Sequence, residues 1–139
     1  MVSGVVAAAP ARAVEQGEEV KWDQARVTQY AVDLNAAIGA ATQALRQSPL
    51  QSAPQQRTVW FEMKEDLRLL RNTASHLQTE LQAGAGLEET RATFARIETL
   101  RHDAEEIGRK SMIPAPVMDA LVKAGAIHNQ MRPYYYGKK

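Results

Sequence analysis

The chain has 139 residues, a formal net charge of +1 and no cysteine. That length fits a single domain, which buries roughly two-thirds of its unfolded surface and so holds a core without metal or disulfide staples. The near-balanced charge excludes an overall field that would recruit nucleic acid or an anionic membrane, and the missing thiols exclude disulfides, thiolate metal sites, thiol catalysis and covalent haem attachment.

Residues Val2 to Ala13 read VSGVVAAAPARA, small and apolar, and end in Ala11-Arg12-Ala13. Small residues at −3 and −1 suit signal peptidase, so cleavage before Val14 and export, to the periplasm or out of the cell, are expected. No basic segment precedes the apolar run, and the run is short. Residues 1–21 lack helical periodicity and read as a flexible arm, either the remnant of a signal peptide or a plain disordered end. Acids at Glu15, Glu18, Glu19 and Asp23 face a basic far end, Arg132, Lys138 and Lys139; both read as solvated ends.

The first helix is expected from about Asp23 to Gln47. Asp23 suits the N-cap, because its carboxylate accepts an otherwise unpaired backbone N–H. Val27, Tyr30, Leu34, Ala37, Ile38, Ala41 and Leu45 share one face. Gly39 weakens the helix locally but lets a neighbour approach closely. Pro49 and Pro54 bracket a loop, and Ser52-Ala53-Pro54-Gln55 fits a capping box.

The second helix carries the strongest signal. Trp60, Met63, Leu67, Leu70, Ala74, Leu77 and Leu81 repeat at spacings of three and four without a break. That is an a/d seam, and it demands long helices packed side by side. Gly84 is the natural stop, and Gly84-Ala85-Gly86 is short enough to make the next helix an antiparallel neighbour. The third helix begins near Leu87, with Glu88 and Glu89 at the dipole's positive end and Arg109 and Lys110 at its negative end. Phe94, Ile97, Leu100, Ala104 and Ile107 form its apolar face. After the stiff Met112-Ile113-Pro114-Ala115-Pro116 link, Pro116 starts the fourth helix. Val117, Leu121, Ala124, Ile127 and Met131 lie on one side of it, and Pro133 is expected to end it.

The reading is an all-α, antiparallel up-down-up-down four-helix bundle: a flexible N-terminal arm over 1–21, the bundle over 22–133 and a Tyr/Lys tail over 134–139. The fourth helix, short and rich in Ala and Gly, is expected to pack least well, which leaves room for self-association. No segment is long enough to span a membrane.

Four clusters bear on function. Three tyrosines, Tyr134, Tyr135 and Tyr136, precede two lysines; tyrosine offers contact area with a polar tip, so these are the expected partner-binding residues. Glu98, His102 and Glu106, with Glu105 beside them, recur at i, i+4 and i+8 and could offer ligands to zinc or copper. Against this stands a solvated stripe paired with Arg101 and Arg109, and no Glu-x-x-His motif is present. His128 and Met131 on the fourth helix, with Met63 facing, are ligand types for haem or copper, although Met at core spacing is usually packing. No cofactor is expected. Finally, Arg71-Asn72-Thr73-Ala74-Ser75-His76 reads as Arg, a polar residue, three more, then His. It resembles the signature of the HEPN ribonucleases, all-helical domains of comparable size. The resemblance spans six residues of 139. It implies Arg71 and His76 as an RNA-cleaving pair, with Asn72 in support, in a dimer whose two pairs face each other. The balanced charge and the export pattern point instead to a non-catalytic interaction or scaffold module with a protein partner and no nucleic acid. A metal- or haem-binding bundle and a HEPN-like ribonuclease are the alternatives.

Overall fold

The computed structural model describes residues 20–49 and 54–137. The expected cleavage pattern Ala11-Arg12-Ala13, the Ser52-Ala53 half of the capping box and the lysines Lys138 and Lys139 lie outside them. Four helices pack against one another: α1 (Gln24–Arg46), α2 (Arg57–Gln82), α3 (Leu87–Lys110) and α4 (Ala115–Tyr136), with a 3₁₀ turn, Pro54–Gln56, leading into α2. The all-α four-helix bundle read from the seam is the observed fold.

The ends follow local chemistry. The Asp23 carboxylate accepts from the Arg26 N–H at 3.1 Å and starts α1. Gly84 stops α2 with φ of 97°, a left-handed conformation that glycine adopts without strain. Its N–H donates to the Leu81 carbonyl at 3.0 Å and that of Ala85 to the Glu80 carbonyl at 2.9 Å, the two bonds of a Schellman end. Glu89 reaches back to accept from the Gly86 N–H at 2.9 Å and opens α3.

Contacts between helix ends give the directions. Gln24, at the start of α1, donates to Leu81 and Ala85 carbonyls at the end of α2. Thr93 of α3 donates to Glu80 of α2 at 3.1 Å. Thr90 at the start of α3 meets Tyr135 at the end of α4. Trp22, just before α1, packs edge-on against Tyr135 at 5.1 Å. Each helix therefore runs opposite to its neighbours, and α4 closes the ring on α1.

The core is the set of stripes the spacing singled out. Six of the seven seam residues of α2 are buried, and Trp60 at the head of the stripe is half-buried. Tyr30 of α1 and Ile107 of α3 are likewise half-buried at the margin of the core. The fourth helix departs from expectation. It carries eight buried residues, Ala124 and Gly125 among them. Their smallness is what permits the packing: a Cβ on Gly125 would stand only 3.0 Å from the Arg101 guanidinium of α3. The core is completed within the one chain by the helix expected to pack least well.

The second departure is the end of α4. Pro133 is expected to stop the helix and leave 134–139 as a tail; instead α4 passes through Pro133 to Tyr136. Proline at 133 removes the bond to the carbonyl of Asn129, an exposed residue whose carbonyl water can serve. The last turn is held by tertiary contacts. The Tyr135 ring stacks on Phe94 at 4.1 Å, its hydroxyl shares a 2.6 Å hydrogen bond with Thr90, and Trp22 closes over it. Burying a ring of that size is worth about 2–3 kcal/mol, which offsets one lost backbone bond of about 1 kcal/mol near a helix end.

Tyr135→Ala should therefore cost about 3–5 kcal/mol and fray the turn after Pro133. Tyr135→Phe keeps the stack and should cost about 1 kcal/mol. Urea unfolding of the two variants, with amide exchange at 134–136, checks both.

Candidate functional site

The three tyrosines do not act as one surface. Successive helical residues point about 100° apart, so each finds a different neighbour. Tyr135 is 2% exposed, and burial pushes its hydroxyl up to about 12 against the Thr90 hydrogen bond. Tyr134 is half-buried and lies 6.2 Å from the Tyr30 ring of α1. Only Tyr136 is exposed, with the Arg132 guanidinium 5.1 Å from its ring centre. The expected partner-binding triplet is thus corrected: Tyr135 is a core residue, buried because Phe94, Thr90 and Trp22 surround it. A hollow of about 590 Å³ remains at this end, lined by Trp22, Leu87 and Tyr136 with the cations Lys21 and Arg91, the latter paired with Glu88 at 3.2 Å.

His128 and Met131 are both fully buried. His128 stacks face to face on Phe94, with ring centres 4.2 Å apart and planes 4° from parallel. Among the described residues neither ring nitrogen has a hydrogen-bond partner of good geometry. Burial, reinforced by the nearby Arg101 charge, pushes His128 down to about 4, against an opposing pull from the Phe94 backbone. The imidazole is neutral at pH 7. Met63, the facing residue on α2, does not meet it. The Glu80–Thr93 contact and the packing of Met118 on Gly108 put Met63 near the level of Met118. That is roughly 15 Å along the bundle from His128 at 1.5 Å per residue.

The stripe Glu98, His102 and Glu106 is divided among cations. Glu98 pairs with Arg132, Glu106 with Arg109 at 2.7 Å and Lys110 at 3.8 Å, and Glu105 with Arg101 at 2.7 Å. His102 is exposed. Among the described residues no group of three or more His, Asp or Glu side chains is placed to hold a metal ion.

Arg71 and His76 stand about 140° apart around α2, five residues at 100° each. His76 faces outward and meets Glu80 at 3.4 Å. Arg71 and Asn72 turn instead toward α1, into a groove of about 440 Å³ between the C-terminal half of α1 and the N-terminal half of α2. Buried Leu45 and Leu67 form its floor, and Arg46, Lys64, Arg68 and Arg71 are exposed along its rim, with Glu65 the one acid in the lining. Glu65 is engaged by Arg68, whose Nε donates to it at 3.1 Å, and it is held below the usual carboxylate range by that bond. Lys64 lies 4.9 Å from the centre of the Trp60 ring. The Arg71 guanidinium lies over Gly39 of α1, 3.4 Å from where a Cβ would stand, which is the close approach the glycine allows. Ser75 is tied to Asn35 of α1, whose amide donates to it at 3.1 Å. The indole N–H of Trp60 is shut away from solvent and has no acceptor, whereas that of Trp22 donates to Gln24 at 2.8 Å.

Sequence reasoning reads Arg71 only together with His76 and leaves Lys64, Glu65 and Arg68 aside. The signal it passes over is Trp60, Lys64, Arg68 and Arg71, at i, i+4, i+8 and i+11 along α2, opposite a mid-helix glycine on α1. Comparison with protein-family models, curated proteins and solved structures finds no match for this chain.

His128 takes up a proton near pH 6.5 when unfolded but only near 4 when folded, so stability falls as pH drops through that window and is unaffected above it. Between pH 6.5 and 5 the loss should be about 2 kcal/mol. His128→Phe should remove that slope in urea unfolding followed against pH. Gly39→Ala adds a methyl in ordinary contact with Arg71. It should raise stability by about 0.5–1 kcal/mol through helix propensity, read as a higher melting temperature.

Proposed function

We propose that this chain is an exported, non-catalytic binding module, and that its contact surface is the cationic groove between α1 and α2. What carries the reading is a concentration of unmet donors on an apolar floor. Lys64 and Arg71 have no carboxylate partner among the described residues, and the Trp60 N–H has no acceptor. A buried unsatisfied N–H costs about 1–3 kcal/mol, and a groove of this size suits a bound molecule. The net charge of the whole chain is only +1, so Lys64 and Arg71, two cations in one groove without a carboxylate partner among the described residues, form a local feature. Export rests on the Ala11-Arg12-Ala13 pattern.

Native mass spectrometry of the chain recovered gently from its own host tests both parts. The expected spectrum is a mature chain beginning at Val14 that carries added mass, with that mass lost from the doubly substituted Lys64→Gln, Arg71→Gln chain. An uncleaved chain removes the export reading. Bare wild-type protein, or a bound mass that the double variant retains, removes the groove.

A further inference from the structure

We infer that the α1–α2 groove takes a small amphiphilic anion of about ten to fifteen heavy atoms in all, a carboxylate, sulfonate or phosphate head on an apolar body. The inference rests on the proposed binding role and names the chemistry of the ligand.

The two halves of such a molecule are matched by two layers of the groove. The inner layer is Leu45, Leu67 and the Trp60 ring, apolar and contributed by both helices. It fits a short aliphatic chain or one to two fused rings, since about 440 Å³ lies in the range of sites for compact ligands. The outer layer is cationic. Arg68 is already committed to Glu65, which leaves Lys64 and Arg71 as the charges available to an incoming anion. They sit seven residues apart on α2, a span of about 10 Å, so one head group lying between them can be approached from both sides. Arg71 is prepared for this. Its guanidinium lies beside Gly39 of α1 and has no carboxylate partner among the described residues, so its fork is free for a bidentate contact.

The apolar inner layer favours a molecule that enters the groove over one that only lies across the rim. A polyanion such as a nucleic acid would satisfy the exposed Lys64 and Arg71 while leaving Leu45, Leu67 and the Trp60 ring uncovered. A ligand with an apolar body covers them. Asn72 adds an exposed amide beside Arg71 for further polar contact.

The chain's two tryptophans supply the test. The indole N–H groups of Trp60 and Trp22 give separate resonances, and Trp22, bonded to Gln24 at the other end of the bundle, is an internal control. The full ¹⁵N-labelled chain is titrated with octanoate and with naphthalene-2-sulfonate. Both are expected to move the Trp60 indole resonance and the amides of Lys64 and Arg71 and to leave Trp22 still. Octyltrimethylammonium, with the same body and the opposite charge, and inorganic phosphate, a head with no body, should shift neither at equal concentration. Lys64→Gln with Arg71→Gln should weaken octanoate binding at least tenfold without lowering the melting temperature.

The inference is overturned if neither amphiphile binds, if octyltrimethylammonium binds equally well, if phosphate or a thymidine oligonucleotide binds as tightly as octanoate, or if the Trp60 resonance stays put while rim amides move. Failure here alongside a host-derived mass that depends on Lys64 and Arg71 would leave the binding module standing and remove only this ligand class.

Discussion

Phe94 holds the bundle together at one end. Its ring is stacked on both faces, by His128 at 4.2 Å and by Tyr135 at 4.1 Å. α3 and α4 make the thinnest contact of any neighbouring pair, so this three-ring column carries much of what joins them. The column continues outward: Tyr135 meets Trp22, Trp22 donates to Gln24, and Gln24 donates to carbonyls at the end of α2. One unbroken run of contacts thereby reaches all four helices. His128 is tolerated within it because a neutral imidazole stacks as an aromatic ring, and the burial that pushes it down to about 4 keeps it neutral.

That lock makes the two ends of the molecule different materials. At the aromatic end the Tyr135 hydroxyl is met by Thr90, the Trp22 indole by Gln24 and Arg91 by Glu88, while His128 is carried as a neutral ring. At the opposite end, between α1 and α2, a groove has a leucine floor, and Lys64 and Arg71 above it have no carboxylate partner among the described residues. Stability is unevenly distributed in most folds, and binding surfaces come from the less committed part. The division here is unusually legible, because the two tryptophans mark it, one with its N–H satisfied and the other without.

The sequence carries the architecture because the relevant signals are local. A seam at threes and fours, an aspartate before α1, a glycine after α2 and acids at the head of α3 each act within a turn or two, and each is found where its chemistry puts it. Pro133 misleads for the same reason. The rule that proline breaks helices counts one backbone bond and one clash, and it has no means of counting a ring that Phe94, Thr90 and Trp22 will bury from across the bundle. Tyr135 then follows Pro133 into error. The groove is illegible in a further sense. Arg46 and Gly39 belong to α1 and Lys64, Arg68 and Arg71 to α2, and nothing in either segment alone fixes the register that brings them together. The motif that draws attention to Arg71 also pairs it with His76, which the helix turns away toward Glu80.

Trp60 bears most directly on what the open end is for. Heading a heptad stripe, it occupies the position where the core gives way to solvent, and a tryptophan there ordinarily buries its ring and turns its N–H to water. A residue serving only to cover Leu67 and Leu45 would gain by doing so, since water satisfies the donor at no cost to the packing. Trp60 does the reverse: the N–H is enclosed, and the ring face is offered to the Lys64 ammonium. That contact sets the Lys64 ammonium beside the ring at the edge of an apolar floor. Cations and apolar floor lie within one groove, and a single bound anion with an apolar body would engage both, which capping the core does not.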